Sequence, residues 1–207
     1  MRSILTVTTA ASDLTLLTMA ELRQATGIAT GQDTQLAALG RGIAAAITSH
    51  CNVRAAGATP PTLRLETLTE VFRPECAVDQ LILARRPLGM ITSVVEDLVT
   101  VETTDYEMDA SLGLLHRLSD DYRAWWSASK ITVVYTAGWS TVPENLRSAA
   151  MKLATALYSE TGRDPSLKAI DIPGVISREY WVGPSDDPLI NAEIEDLLGD
   201  YINPAIA

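Results

Sequence analysis

The sequence predicts an α+β fold in which a helical core carries a β-rich insertion. Segments near both ends place apolar residues at three- and four-residue steps, as helices do. The middle of the chain instead alternates apolar and polar residues between turn-forming residues, as strands do. We therefore divide the chain into an N-terminal arm and helical hairpin (1–56), a β-rich insertion (57–137), and a continuation of the helical core with a loop and a C-terminal helix (138–207).

The first segment predicts an extended arm followed by two helices. Residues 1–17 are rich in Thr, Ser and Leu, and no partner for them is evident. Thr18 and Glu21 form a capping box for a short helix that Gly27 ends. A second helix is expected from about residue 32 to residue 52, because apolar side chains recur along one face: Leu36, Leu39, Ile43, Ile47 and Cys51.

The second segment predicts six strands, at 63–68, 79–83, 91–95, 105–108, 113–118 and 130–135. Gly138 ends the last strand, and Pro143 suits the first turn of a helix that runs to about residue 158. This helix has an apolar face that we expect to pack against the helix at 32–52: Leu146, Ala150, Leu153 and Leu157.

The C-terminal region predicts a loop at 164–184 with one strand, at 175–181, and then a last helix. Asp187 suits its N-cap and Pro188 its first position. One face of this helix is apolar, and an apolar tail follows it: Ile190, Ile194, Leu197, Tyr201, Ile202, Pro204 and Ile206.

Composition limits the classes of function. The formal net charge of −10 argues against a surface that grips nucleic-acid phosphates. It fits a protein that lets DNA pass, although ordinary solubility explains it as well. Cys51 and Cys76 have no spacing typical of a disulfide framework or a metal site, so we expect buried free thiols. The sequence has neither a secretory signal nor an apolar run of about 18 residues, which predicts a protein made in the cytoplasm and no membrane span.

No segment predicts an active site, a metal site or a cofactor site. His50 and Cys51 are adjacent on a helix and point about 100 degrees apart, and His116 has no second His to act with. The pairs Asp120-Asp121 and Asp186-Asp187 lack the alternating spacing of a calcium loop and are interpreted as turns and caps. We interpret Arg85-Arg86 as a solvated strand end in preference to a contact with an anionic partner.

The tryptophans are the candidate interface residues. The chain has four Trp and one Phe, and large aromatic residues are enriched in interfaces. Trp125 and Trp126 are adjacent, so in an extended segment one of them must find cover outside its own sheet. Core packing explains some of the four. Trp125, Trp126 and Trp139 are therefore candidates for a subunit interface.

The order of several short motifs resembles the head–tail connector, or adaptor, proteins of long-tailed phages and phage-derived gene transfer agents. The likeness is to the larger branch with a β-rich insertion. The motifs follow the leading helical hairpin in this order: Arg86-Pro87-Leu88, Ile91-Thr92-Ser93-Val94, Tyr106-Glu107-Met108-Asp109, Gly113-Leu114-Leu115, Val134-Tyr135-Thr136-Ala137-Gly138, Val142-Pro143-Glu144-Asn145-Leu146 and Ala149-Ala150.

The resemblance implies a structural protein of the particle neck that is assembled in the bacterial cytoplasm. Its subunits would form a dodecameric ring under the portal protein, extend the channel through which double-stranded DNA passes without specific binding, and provide a platform for the stopper or head-closure and tail proteins. It also implies that the C-terminal helix and tail, 188–207, dock on the portal. An apolar stripe followed by an apolar tail has the composition of a docking peptide, although packing on the chain's own core would use the same residues.

Two other functions are compatible with the residues. A ligand-binding or carbohydrate-binding module would place Tyr122, Trp125 and Trp126 around a concave aromatic pocket. A hydrolase would use His116 with Asp120 or Asp121 in a cleft.

Overall fold

The computed structural model describes residues 3–160, 169–172, 176–179 and 192–203. These residues form an α+β fold, as predicted, with four α-helices: α1 (Met19–Thr26), α2 (Asp33–His50), α3 (Glu144–Glu160) and α4 (Ala192–Leu198). The strands are β1 (Ser3–Thr9), β2 (Glu66–Phe72), β3 (Gln80–Ile82), β4 (Leu88–Glu96), β5 (Val99–Thr100), β6 (Tyr106–Asp109), β7 (Leu114–Ser119), β8 (Tyr122–Ala124), β9 (Ile131–Ala137), β10 (Ala169–Ile172) and β11 (Ile176–Glu179).

The chain divides into two compact units. One contains Met1–Leu14, Ala45–Val142 and Ile202–Ala207, and the other contains Thr15–Ala44 and Pro143–Tyr201. We call them the sheet unit and the helical unit. The N-terminal strand β1 therefore belongs to the same unit as the β-rich segment, and α2 contributes residues to both units.

In the helical unit, α1 has the predicted boundaries because its capping box and its stop are both formed. The backbone N–H of Thr18 donates to Glu21 Oε2 at 2.7 Å, and that of Glu21 donates to Thr18 Oγ1 at 3.3 Å. Gly27 then takes the left-handed conformation with φ of 73°. Leu36, Ile43 and Ile47 of the predicted stripe are buried on α2, as is Cys51 directly after the helix, whereas Leu39 is half-buried.

Helix α3 follows Pro143, as predicted, and its nearest neighbours are α1 and α4. The expectation that its apolar face packs against α2 stays a prediction, since an apolar stripe shows that a helix needs cover but not which element supplies it. Leu146 and Leu153 are buried along α3, and Arg147 Nη1 lies 3.3 Å from Glu21 Oε1 of α1.

In the sheet unit, five strands form an antiparallel sheet in the order β1-β2-β9-β4-β5. The partner of the N-terminal arm is β2. Strand β2 begins three residues later than the predicted strand at 63–68, because its inward face alternates carboxylates with apolar side chains: Glu66, Leu68, Glu70 and Phe72. Hydrophobic patterning does not predict a strand with two acidic residues on its buried face.

A second antiparallel sheet is centred on β7, which pairs with β3, β6 and β8. Leu81, Leu115 and Trp126 from this region pack with Phe72 and Tyr135 of the five-stranded sheet in one buried cluster. Strands β5 and β8, which were not predicted, follow two-residue turns in which both central residues have positive φ: Asp97, Leu98, Asp120 and Asp121. Such turns usually contain Asn-Gly or Asp-Gly, so these sequences give no hairpin signal.

Strand β11 lies within the predicted strand at 175–181 and pairs with β10. Helix α4 overlaps the predicted last helix, whose proposed start at Asp187 and Pro188 lies outside the described residues, as do Asp186, Ile190, Trp181, Pro204 and Ile206. No helix in the described part of the chain is long and apolar enough to cross a membrane.

Gly138 forms the turn after β9, where a side chain would be strained and would clash with the neighbouring backbone. Its φ is 95°, and a Cβ atom at this position would lie 2.4 Å from the backbone oxygen of Arg64. The next residue, Trp139, pairs with the segment before β2, since its N–H donates to Leu63 O at 2.9 Å and its carbonyl accepts from Leu65 N at 3.1 Å. The turn therefore joins the end of β9 to the start of β2.

We expect Gly138→Ala to lower the free energy of unfolding by about 3 kcal/mol or more, since both the backbone conformation and the contact with Arg64 are unfavourable. Gly57→Ala is the matched control in the same unit. Gly57 also has positive φ, but a Cβ atom added there would have no other atom within 4 Å, so this variant should lose only about 1 kcal/mol. Urea unfolding followed by Trp fluorescence measures both, and equal losses would contradict the steric explanation.

Candidate assembly surface

A buried carboxylate fixes β1 to the sheet. Glu70 of β2 accepts hydrogen bonds from the Ser3 hydroxyl, from the backbone N–H of Ala84 at 3.0 Å and from the Tyr135 hydroxyl at 2.9 Å. Arg54 donates to Ser3 Oγ at 2.9 Å and to the Ser3 carbonyl at 2.6 Å, and its Nη1 lies 3.9 Å from Glu70 Oε1. The N-terminal segment is therefore a fixed edge strand.

Burial raises the pKa of Glu70, although the hydrogen bonds from Ser3, Ala84 and Tyr135 and the charge of Arg54 act in the opposite direction. The pKa of the Tyr135 hydroxyl is raised well above its ordinary value by burial and by the adjacent Glu70. Both shifts have burial as their largest cause, because a low-dielectric interior disfavours the charged form of each group.

Arg85 is also buried, which corrects the interpretation of Arg85-Arg86 as a solvated strand end. Arg85 Nη1 donates to the carbonyl of Thr62 at 2.8 Å and lies 3.5 Å from Glu66 Oε2. Burial raises the pKa of Glu66, and the charge of Arg85 opposes this shift. The Arg85 guanidinium therefore binds groups of its own chain, whereas Arg86 is half-buried.

The face of the five-stranded sheet that points away from the buried cluster carries no charge in its central strands. Thr67, Thr69 and Val71 of β2 register with Thr136, Val134 and Thr132 of β9 on this face. The chain as a whole has a net charge of −10, so a sheet face without charged residues differs from the rest of its composition. Depletion of charged residues is the compositional mark of the centre of a protein–protein interface.

Strand β1 extends this uncharged face to the edge of the sheet. Its outward residues Ile4, Thr6 and Thr8 are exposed, with Ile4 at 61%. The hydroxyls of Thr8 and Thr69 are 2.8 Å apart, which aligns the two strands on this side. The edge is therefore ordered as well as uncharged.

Two hairpin tips present large apolar side chains to solvent. Leu98, in the turn between β4 and β5, is 88% exposed although it adopts the left-handed conformation with φ of 68°. Tyr122, directly after the turn between β7 and β8, is also exposed. At 88% exposure the Leu98 side chain is almost uncovered within the subunit and is accessible to a partner.

The three candidate interface tryptophans have different environments. Trp125 is 67% exposed and is available to a partner. Trp126 is fully buried, and its indole N–H donates to the carbonyl of Leu115 at 3.2 Å, which makes it a core residue and removes it from the interface candidates. Trp139 is half-buried at the corner after Gly138. One of the adjacent pair does face outward, as their alternation predicts.

The described docking candidates also differ in exposure. Ile194 is buried in the helical unit, Leu197 and Tyr201 are half-buried, and Ile202 is 43% exposed. Asn203 is buried, and its backbone N–H donates to the carbonyl of Cys51 at 2.9 Å within the sheet unit. The chain is therefore held at Asn203, immediately before Pro204.

The residues considered for chemistry do not converge. Asp120 and Asp121 form a turn four residues or more beyond His116 on β7, which corresponds to about 13 Å in an extended strand. Residues 3–160 and the other described segments contain no group of three His, Cys, Asp or Glu side chains that could hold a metal ion. Cys51 is buried, and burial raises the pKa of its thiol to about 11, whereas Cys76 is exposed, contrary to the expectation of two buried thiols.

An open depression of about 410 Å³ lies beside the tip of the β4–β5 hairpin, and no aromatic side chain lines it. Its lining includes the ion pair of Glu96 and Arg117, with Arg117 Nε 3.2 Å from Glu96 Oε2. Burial acts to raise the pKa of Glu96, but hydrogen bonds from Ser127 and Arg117 lower it overall. The aromatic pocket that a carbohydrate-binding module needs is not formed here, since Trp126 is in the core.

Three solved chains that share this fold come from gene transfer agent (GTA) particles. A chain from the neck of an empty GTA particle, computed with C6 symmetry, has a TM-score of 0.60 at 17% sequence identity, and the match covers 99% of this chain and 97% of that chain. A chain from the neck of a native GTA particle, computed with C12 symmetry, has a TM-score of 0.55 at 16% identity, with coverage of 99% and 97%. This protein shares the fold of gene transfer agent neck chains.

A third chain, from the virion of a native gene transfer agent particle, has a TM-score of 0.51 at 19% identity over 82% of this chain and 89% of that chain. The resemblance to head–tail connectors inferred from motif order is confirmed at the level of the fold. No protein-family model matches the chain, and no curated protein matches it. At these identities the likeness is one of fold, so functional residues must be argued from this chain's own geometry.

The raised pKa of Glu70 predicts a pH dependence of stability. The folded state binds this proton more tightly than the unfolded state, so the wild-type protein should lose stability relative to Glu70→Gln as the pH rises from about 4.5 through the raised pKa. Urea unfolding at a series of pH values measures the difference. Glu96→Gln is the control of opposite sign, since the pKa of Glu96 is lowered and its contribution is lost as the pH falls. A pH-independent difference for Glu70→Gln would refute the assignment.

Proposed function

We propose that this protein is a non-enzymatic head–tail adaptor in the neck of a phage-like particle. Its subunits form a ring below the portal protein, extend the DNA channel and provide a platform for the stopper or head-closure and tail proteins. The observation that carries this proposal is the fold shared with a neck chain over 99% of this chain and 97% of the other. The likeness includes both the β-rich region and the helices, so it is not a match to one common motif.

The charge of the chain supports a role beside DNA without binding to it. A net charge of −10 repels the phosphate backbone, which lets a duplex move through a channel without adhering to its wall. Of the pair Arg85-Arg86, for which a contact with an anionic partner was the alternative, Arg85 is instead paired with Glu66 inside the sheet unit. In this proposal double-stranded DNA passes through the channel without specific binding.

The exposed apolar side chains support contacts with other proteins. A ring is a heterologous assembly, in which each subunit uses two different patches to contact its two neighbours. Leu98, Tyr122 and Trp125 are large, exposed and located on hairpins of the sheet unit, where they are accessible to neighbouring subunits or to proteins stacked on the ring. Aromatic anchors of this kind supply much of the binding energy in interfaces.

The C-terminal segment is the proposed portal-docking element. Ile194 is buried and is therefore not available for docking. Among the described docking candidates, Ile202 is the exposed one, and Leu197 and Tyr201 are half-buried. The proposed element continues through Pro204 and Ile206 and includes Ile190. Asn203 holds the base of this segment through its hydrogen bond to Cys51, so the residues after it can bind a partner without unfolding the sheet unit.

We expect the protein to assemble into a ring on the portal protein of its own particle. Mixing the two proteins and measuring mass by native mass spectrometry and shape by electron microscopy tests this. The expected product is a portal ring carrying a second ring of this chain. A monomer alone would decide nothing, because the portal can act as the template, but a chain that stays monomeric and never binds the portal would refute the proposed function.

We expect deletion of residues 204–207 to weaken portal binding at least tenfold while leaving the unfolding midpoint nearly unchanged, since Asn203 and its hydrogen bond are retained. Surface immobilisation of the portal measures the affinity. Ile202→Asp should act in the same direction because Ile202 is exposed, whereas Leu112→Asp, also at an exposed apolar residue, serves as the control. If the deletion lowered stability and binding together, the segment would belong to the fold of the chain.

A further inference from the structure

Strands β10 and β11 form a sheet of their own. They pair with each other in an antiparallel register, and among the residues that the structure describes neither has a second strand beside it. Each strand has four residues. An isolated two-stranded hairpin is at best marginally stable in water and needs a third strand or a packed layer. The β10–β11 hairpin therefore gains stability from any strand that is added to it.

The β1 edge of the five-stranded sheet can supply that strand. In the described part of the chain β1 pairs with β2 on one side and has no strand on the other. The carbonyl of Ser3 already accepts from Arg54, which leaves residues 4–8 as the stretch that can pair. Alternate residues of an edge strand direct their N–H and C=O groups away from the sheet, where they can bind a new strand.

Strand β1 lacks the residues that usually prevent pairing between chains. Natural proteins protect exposed edges with Lys, Pro or inward-pointing charges. The sequence of β1, SILTVTT, has no charged residue and no proline. Ile4, Thr6 and Thr8 are exposed. A partner strand can therefore approach residues 4–8 without meeting a charge on β1.

The β1 edge is held in place before any partner arrives. Ser3 is fixed by Glu70 and Arg54, and the hydroxyl of Thr8 lies 2.8 Å from that of Thr69. An ordered template loses less conformational entropy on binding than a free arm does. The other edge of the sheet is in use, because the N–H of Leu88 donates to the carbonyl of Ala110 and β5 pairs with the end of β4.

The charges of the two surfaces are complementary. Arg54 lies at the start of β1 with its side chain 41% exposed, so the β1 edge has a cation at its rim. Strand β10, with the sequence AIDI, has one charged residue, and this residue is an acid, Asp171. Strand β11 carries Arg178 as well as Glu179. Charge complementarity therefore favours β10 as the strand that meets β1.

The hairpin is connected by segments that are long enough to carry it to another subunit. Eight residues, 161–168, separate α3 from β10, and twelve residues, 180–191, separate β11 from α4. Eight residues can span at most about 28 Å. Within one subunit the hairpin and β1 belong to separate sheets.

We propose that neighbouring subunits join by strand addition, with β10 of one copy pairing along residues 4–8 of β1 in the next copy. The occupant of the β1 edge is a second copy of this chain, because each of the two surfaces lacks a strand that the other supplies. The two surfaces differ, so the joint is heterologous and can repeat around a ring. This inference rests on the proposed ring, and it names a contact between its subunits.

Two variants that each remove one side of the joint test it. The first carries Ile4→Lys and Thr6→Lys on β1, both at exposed residues. In the second, residues 169–179 are replaced by a flexible Gly-Ser segment of equal length. Ala58→Lys with Leu112→Lys is the control for the first variant, since it adds the same charge at exposed residues outside β1. Unfolding midpoints verify that each variant is folded.

The expected results differ for single variants and for their mixture. On the portal, wild type and control should form rings, whereas neither joint variant should form them alone. The mixture retains one intact hairpin and one intact β1 edge, so native mass spectrometry should detect a pair with one copy of each variant that grows no further. Rings formed by either joint variant at the wild-type level would overturn the inference. So would pairs of the hairpin-less variant with itself, which would mean that β1 binds β1.

Amide hydrogen exchange measures the same joint without any substitution. In the wild-type monomer the amides of β10 and β11 should exchange fast, because a lone hairpin opens readily. In assembled rings they should exchange at least tenfold more slowly. Equal exchange in monomer and ring would contradict the joint, and so would strong protection in the monomer, which would mean that the hairpin is already covered within one chain.

A cysteine version keeps the test valid if the lysine variant is unstable. In a Cys76→Ser background, where the remaining Cys51 is buried, Thr6→Cys is combined with Ile170→Cys. Both positions lie near the middle of their strands, so they meet whichever way β10 runs. Oxidation of rings should yield a ladder of disulfide-linked multimers. A disulfide closed within one chain, or no ladder in assembled rings, would contradict the joint.

Failure of the joint and failure of the proposed function have different signatures. Rings on the portal that form despite both joint variants would refute the joint and leave the adaptor function standing. Mixed pairs in solution, with no attachment to the portal in any form, would support the joint and refute the adaptor function. A wild-type chain that remains monomeric with and without the portal, up to high concentration, would refute both.

Discussion

The sheet unit depends on the hydrogen bonds around one buried carboxylate. Glu70 sits on the inward face of β2 and connects Ser3 of β1, Tyr135 of β9 and the main chain of Ala84 after β3, with Arg54 at the rim. An unpaired charge at this position would cost several kcal/mol, so the groups around it must be in place when the chain folds. The same contacts convert the N-terminal arm into a defined edge of the sheet.

That edge has consequences outside the subunit. A buried network that needs Ser3 also fixes the position of β1, and β1 carries uncharged residues along its outer side. The opposite edge, on β4, is uncharged and is bent by its register shifts with β9. The interior electrostatics and the outer edge are therefore coupled, because loss of the contacts at Glu70 would release Ser3 and with it the start of β1.

The helices and most strands could be predicted because their signals are local. The Thr18–Glu21 capping box, the stop at Gly27, the turn at Gly138 and the alternation of Ile131, Val133 and Tyr135 all involve residues close together in the sequence. Prediction failed where two or more distant segments decide the structure. The prediction placed the start of β2 too early because two carboxylates lie on its buried face. It missed the hairpins at Leu98 and Asp121 because their turns use residues that rarely adopt positive φ.

By itself, the sequence determined the fold class, the positions of the main elements, and a motif order that resembles a head–tail connector, all of which local patterns encode. Only the tertiary structure decided which strand pairs with the N-terminal arm, that Arg85 is buried beside Glu66, and that Trp126 is in the core while Trp125 faces solvent. The physical reason is the distance along the chain. Ser3 and Glu70 are 67 residues apart, and whether a carboxylate, an arginine or an indole is buried depends on the partners that such distant segments bring to it.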